Sequence, residues 1–285
     1  MRQLFSLFIS FFVLTNIVSG QEIFGKAKNN FRNFSGKTTM VVLNASDFTD
    51  LSIMDAVKKG WKISTYEFCT YSDFEKMKGD TSLYFLLRVE GKFKKEGEAK
   101  IEYLTLVKGG PQSSKGISKM FEIMTLPLQA VGDESGKAFI FIASYIDIIQ
   151  NHITNVSSEI LKAYVRNSFY NDRIDNAGDK RIIFDKEELA VNISPEELSK
   201  LFNNKAVVGD EAEVEKAVME GTPGTVVGFV VSPVGDAVGS YSYKMIIDAQ
   251  SHELLFFRRH RISSKLPKGF LMEDIKRISI PFRKL

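Results

Sequence analysis

Four short stretches carry residue types that could do chemistry. Lys108–Gly116 reads KGGPQSSKG, between an extended apolar run and a stretch with helical spacing. A helix start leaves backbone N–H groups free and attracts anions, so Ser113, Ser114 and Lys115 are the candidate anion contact. The nucleotide-loop pattern G-x-x-x-x-G-K-[ST] fails here. Counted from Gly109, Ser114 stands where the second Gly belongs, and Gly116 follows Lys115 where a magnesium-binding hydroxyl is needed. A polar strand-to-helix connector is the other reading. Arg258, Arg259, His260 and Arg261 form a basic run in which strand alternation puts Arg258 and His260 on one face, Arg259 and Arg261 on the other. Arg258, Arg259 and Arg261 are thus candidates for contact with an anionic surface such as lipid head groups or glycan, extended by Lys265, Lys268, Lys276, Arg277, Arg283 and Lys284. A solvated strand end is the alternative.

The remaining reactive residues are sparse. His152, His252 and His260 show neither H-x-x-x-H nor H-E-x-x-H spacing, so zinc has no local ligand pair. Cys69 is the one cysteine, which rules out an internal disulfide and reads as a small buried hydrophobe. There is no G-x-S-x-G nucleophile turn. GTPGTVVG (Gly221–Gly228) leads from helix into strand, the reverse of a dinucleotide fingerprint. No catalytic, cofactor or metal residue is assigned on these grounds, and no cofactor is expected.

Composition narrows the class. The chain has 285 residues, 44% hydrophobic and 26% charged, with a net charge of +3. These values exclude a disordered chain, a collagen-like fibre and a disulfide scaffold. The near balance of charge argues against duplex nucleic acid as partner. Residues 1–20 place Arg2 before an apolar run from Leu4 to Val18, then the small residues Ser19 and Gly20, which is the order of a secretory signal. The expectation is export to the periplasm or outside the cell. Gln21 follows the cut where a lipoprotein would need Cys, so no lipid anchor is expected. No later apolar run is long enough for a membrane span, so the mature chain should carry no transmembrane helix. Asn33, Asn44, Asn155 and Asn192 head N-x-[ST] sequons, which matter only in a eukaryotic secretory route.

The elements that must position these residues follow from periodicity. Residues 21–37 are polar and unpatterned, a flexible arm with at most a short helix. Thr38–Leu43 is a buried strand. Phe48, Leu51, Met54 and Val57 share a helix face that Gly60 ends. Lys62–Phe68 is a strand, Ser72–Lys78 a short helix, and Ser82–Val89 pairs with Ala99–Val107 as a hairpin. Ile117, Met120, Phe121 and Met124 put a helix over Ser114–Gln129, interrupted at Pro127. From Phe139 to Tyr170 there is no Gly or Pro, and Ile142, Ile146, Ile149, Ile153, Val156, Ile160 and Ala163 recur at spacings of four and three. That stripe is a core helix or a homodimer seam over Ile142–Ile160. Ser194, Pro195 and Glu197 carry a helix-start signature. Beyond it come the strand Lys205–Gly209, a helix over Asp210–Glu220, the strand Thr225–Val231 and a hairpin of Tyr241–Asp248 with His252–Ile262.

Helix, strand, short helix, strand and hairpin thus occur twice. The expected fold is α+β, in α/β layers: two similar β-α-β-α-β-β units with mixed or antiparallel sheets, joined by a helical segment with one long helix. The divisions are a signal at 1–20, the arm at 21–37, a first unit at 38–110, a helical connector at 111–172, a linker at 173–180, a second unit at 181–264 and a basic tail at 265–285. The second-copy strands TVVGFVV (Thr225–Val231) and YKMIIDAQSHELL (Tyr243–Leu255) resemble the anticodon-binding-like α/β fold. That fold occurs in the amino-terminal domain of the Tol translocation propeller protein, and in lipoproteins that activate penicillin-binding proteins or build the curli export pore. Ser251 and His252 stand where that group has a turn glycine. The whole chain, rich in Lys, Phe and Asn, is similar in style to secreted proteins of the Bacteroidetes. The resemblance implies protein binding rather than catalysis. The expected function is a non-enzymatic envelope or periplasmic protein that binds another protein or a surface component. The alternative is a hydrolase-like enzyme with an acidic site in the cleft between the units.

Overall fold

The computed structural model describes residues 30–31, 33–91, 100–158, 166–235 and 237–283. The signal segment, most of the arm, and Ile160 and Ala163 of the stripe lie outside the described residues. The first unit runs β1 (Thr38–Val42), α1 (Phe48–Gly60), β2 (Thr65–Cys69), α2 (Tyr71–Met77), β3 (Leu83–Gly91), β4 (Ile101–Lys108) and β5 (Phe121–Ala130), and is followed by α3 (Lys137–Ser158). The second runs β6 (Arg181–Asp185), α4 (Pro195–Leu201), β7 (Ala206–Gly209), α5 (Glu211–Met219), β8 (Thr225–Val231), β9 (Tyr241–Asp248) and β10 (Leu254–Arg261). It is followed by α6 (Met272–Ile278) and α7 (Ile280–Arg283).

Each unit forms a five-stranded mixed sheet, β2-β1-β3-β4-β5 and β7-β6-β8-β9-β10. In both, the first strand is parallel to its two neighbours and the last three strands form an antiparallel meander. The fold is therefore α+β with one topology used twice. Local chemistry starts the helices: Ser194 accepts from the Glu197 amide as expected, and Asp47 accepts from the Thr49 and Asp50 amides and Asp210 from Glu213.

Three expectations are corrected. No helix forms over Ser114–Gln129. Pro111–Lys115 and Ile117–Lys119 are 3-10 turns, and Phe121–Ala130 is the edge strand β5. Pro127 sits in that strand because an edge position tolerates a missing N–H. The helical connector at 111–172 is thereby divided, its first part completing the first sheet. Second, the linker is packed structure, and so is the basic tail, whose expected helix near Leu271–Ile278 forms as α6 (Met272–Ile278). The 3-10 segment Arg166–Ala177 lies along β10 with Tyr170, Ile174 and Ala177 buried, and Phe270, Ile275, Ile278 and Phe282 are buried in the second unit's core. Third, the end of the arm is anchored: Phe34 packs on Tyr84 at 4.3 Å between ring centres, and Phe31 on Phe121 at 5.9 Å.

The two units bury non-equivalent faces against each other. Strand order 2-1-3 sends the two crossovers in opposite directions, so right-handed connections place their helices on opposite faces. In the first unit, Ile53 and Val57 of α1 pack with α3 and Val41, while Phe74 of α2 packs with Met40 and Val42 on the other side. In the second, Leu198 of α4 joins Ile275 of α6 and Ile182, while Val214, Ala217 and Val218 of α5 join Ile183. The central core unites the α1/α3 face of the first unit with the α5 face of the second. Phe141 of α3 stacks on Phe229 of β8 at 3.9 Å and 14°, worth about 1 kcal/mol beyond its burial. The Tyr145 hydroxyl donates to the Pro127 carbonyl at 2.6 Å, and the Tyr103 and Tyr243 hydroxyls meet at 2.9 Å.

This packing consumes the isoleucine stripe. Ile142, Ile146, Ile149 and Ile153 are buried inside the chain, along with Tyr145 and Ile148 beside them. The homodimer seam over Ile142–Ile160 is thus not a surface as far as its side chains are described. The outward sides are polar instead: α2 exposes Ser72, Glu75 and Lys76, α4 exposes Glu196, Glu197 and Lys200, and α6 exposes Glu273 and Lys276. Among the described residues no helix is long and apolar enough to cross a membrane.

Candidate functional site

The Ser113–Lys115 stretch loses the feature that made it an anion candidate, since no helix begins there. The Ser113 amide donates to Gly110 and the Gly116 amide to Ser113, inside the turn. Ser113 is buried, the Ser114 hydroxyl donates to Pro111 at 3.0 Å, and Lys115 is exposed.

The arginines of β10 divide between its two faces as alternation requires. Arg258 joins Glu273 at 3.0 Å and Asp274 at 3.3 Å. Arg259 lies over the Tyr241 ring at 4.6 Å, and Arg261 donates to the Gly239 carbonyl at 2.7 Å. Beneath Arg258, the buried Lys244 donates to Asp274 at 2.7 Å and to His260 Nδ1 at 2.8 Å. His260 Nε2 donates to the Pro267 carbonyl at 2.8 Å. Burial, then the Lys244 charge, lowers the His260 pKa, which keeps it a neutral acceptor. The network ties α6 to β9 and β10.

Each unit also holds a cation among carboxylates at the carboxyl ends of its parallel strands, the place where open α/β sheets commonly bind ligands. In the first unit Arg88 bridges Asp47, Asp50 at 3.0 Å and Glu102 at 2.7 Å. Burial opposes its charge, but those carboxylates hold the guanidinium pKa above its ordinary value. In the second, Lys137 from α3 reaches Asp185 at 2.8 Å and Glu188 at 2.7 Å. Glu188 Oε1 also accepts the Val230 amide at 3.0 Å, while its buried Oε2 has no hydrogen-bond partner among the described residues. Burial pushes the Glu188 carboxyl up to about 7 against the pull of Lys137. Both places are filled by the protein's own side chains.

Open space lies between the units. A groove of about 940 Å³ runs between the first turns of α3 and the outer side of α5, closed at its floor by the β9–β10 turn. Phe139, Ile140 and Ala143 come from α3, Val218 and Met219 from α5, and Gln250 and His252 from the turn. Phe139 is 43% exposed and Met219 72%. Glu211, Glu215 and Glu220 line the same groove, with Lys59 and Lys137. His252 adopts a left-handed φ of 56°, a region that favours glycine, and its Nδ1 lies 2.7 Å from Asp147 Oδ2. An Asp–His pair can orient a base, yet among the described residues no hydroxyl or thiol is hydrogen-bonded to that imidazole. Among the described residues no group of three or more His, Cys, Asp and Glu side chains could hold a metal ion.

Sequence reasoning placed an acidic cleft between the units only as a general alternative and named none of its residues. Glu211 and Glu215, one helical turn apart, were the available signal. Phe139 and Met219 could not be found, because an exposed apolar residue reads as core until packing is known. No protein-family model matches the chain, nor does any curated protein or solved structure.

Proposed function

We propose that this is an exported, non-enzymatic binding protein of the cell envelope or periplasm, which holds another protein or a surface component in the groove between its two α/β units. One observation carries the reading: Phe139 and Met219, both exposed, line one open groove together with Glu211, Glu215 and Glu220. A concave site that combines apolar walls with a few polar groups is the usual form of a binding site. Other exposed apolar side chains, Phe48, Val234 and Val238 among them, lie outside this groove, whereas Phe139 and Met219 share one concavity with the three carboxylates. The signal-like segment at 1–20 and the resemblance of Thr225–Val231 and Tyr243–Leu255 to envelope domains support the setting.

A photoreactive side chain at Met219, compared with one at Ser72 on α2, tests the groove in the producing cell. The expected result is a discrete adduct from Met219 and none from Ser72. Equal labelling at both positions, or none at Met219, overturns the groove reading. Turnover of any member of an ester, peptide and glycoside panel overturns the non-enzymatic one.

A further inference from the structure

We infer that the groove's occupant is a polypeptide segment that places an apolar anchor between lysine or arginine residues. The inference rests on the groove reading above and adds the chemistry of the partner. Its first ground is charge. Glu211, Glu215 and Glu220 line the groove, and among the described residues none of them is paired with a cation. The basic side chains in the lining do not balance them. Lys137 is engaged by Asp185 and Glu188, which leaves Lys59 against three carboxylates.

Its second ground is where one of those carboxylates sits. Glu220 is the C-cap of α5, where the helix's free carbonyls already carry partial negative charge. A carboxylate there is disfavoured by the helix itself, and a bound cation offsets both charges. Its third ground is the apolar strip between the charges. Met219 lies next to Glu220 in sequence and is unbranched and polarizable, so it adapts to anchors of different shape. Phe139 supplies the opposite, rigid wall. Basic groups alone would leave Met219 and Phe139 wet, and an anionic headgroup or glycan would meet repulsion from α5. A segment with both features satisfies the whole lining.

Three short fluorescent peptides test this on the intact protein: one of Lys with Leu and Phe, one with Glu replacing Lys, and one with Ser replacing Leu and Phe. The first should bind about tenfold or more tighter than either other. Its affinity should fall when salt is raised from about 50 mM to about 500 mM, because exposed charge pairs are screened. The E211K/E215K double variant should lose that preference. Met219→Asp should weaken the first peptide about tenfold. All three positions are at or near the surface, so folding is retained, and the unfolding midpoint checks it. Equal or tighter binding of the Glu peptide, equal binding of the Ser peptide, no binding of any, or indifference to the double variant overturns the inference. If the Met219 adduct still forms in those cases, the groove reading stands and only the partner's chemistry is wrong.

Discussion

Lys137 Nζ, in the first turn of α3, donates to Asp185 Oδ2 at the carboxyl end of β6 at 2.8 Å. The ammonium is the only described cation shared by Asp185 and Glu188, and it joins the helix that follows the first sheet to β6, the strand beside the edge strand β7 of the second. Removing it strands two buried carboxylates. Lys137→Met should therefore lower stability by about 3–5 kcal/mol in denaturant unfolding at neutral pH. Adding Glu188→Gln should restore part of the loss, because one of the stranded charges is removed. A single Lys137→Met variant as stable as the wild type would show that the bridge is immaterial.

The buried Glu188 and His152 should give opposite pH slopes. The folded state keeps Glu188 protonated up to about 7, whereas the unfolded chain releases that proton near the ordinary carboxylate value. Between those points the folded state binds more protons, so this group's contribution falls as pH rises and is flat above about 7. Burial holds His152 down to about 4, so the unfolded chain takes up its proton first as pH falls from about 6.5. Its contribution is complete above about 6.5 and is lost toward about 4. Relative to wild type, Glu188→Gln should make stability rise with pH more steeply, by about 1.4 kcal/mol per unit. His152→Asn should make it rise less steeply by a similar amount. Denaturant midpoints across pH 4–7 measure both; matching slopes in all three proteins would contradict the burial of these groups.

Phe141 and Phe229 form the stacked ring contact between α3 and the second sheet, with Tyr145 also against Phe229. Both are buried, so Phe141→Ala opens a cavity at the junction of the units. The expected loss is about 3–5 kcal/mol. Because the core is shared, one cooperative transition should persist in calorimetry. Two separated transitions in the wild type would instead mean that each unit is stable alone.

Cys69 should be slow to alkylate. Burial pushes its thiol up to about 11, and the neighbouring Asp73 and Glu67 add to the shift. At mildly alkaline pH, reaction with iodoacetamide should run about two orders of magnitude slower than for free cysteine. In denaturant the difference should vanish. A fast native reaction would show that the carboxylates and the sheet do not suppress the thiolate.

Much of this architecture was legible from local pattern. The caps at Asp47, Ser194 and Asp210 are short-range hydrogen bonds, and the strands Thr225–Val231 and Tyr241–Asp248 are apolar runs bounded by turn residues. Phe121–Ala130 misled because its apolar residues fit helical spacing as well as a strand's, and Pro127 reads as a break in either. Only its pairing with the preceding strand β4 resolves it, and that pairing is a contact between strands that no pattern within one segment shows. The Arg88 and Lys137 clusters were invisible for the same reason: Arg88 meets Asp50 and Glu102, and Lys137 meets Asp185, across distances no motif spans.

Periodicity and capping, which act within a few residues, were enough by themselves to specify similar strand-and-helix orders in the two units and the isoleucine stripe of α3, whereas Arg166–Tyr170, expected in the same long helix, is 3-10. Which faces meet was decided by the tertiary structure alone. Burial is a property of the whole packed surface, and the same stripe of Ile142, Ile146, Ile149 and Ile153 would serve a dimer or a core equally well until α1 and the second sheet cover it. The groove follows from that choice: joining the α1/α3 face to the α5 face buries Phe141 and Val218, yet leaves Phe139 and Met219 in water.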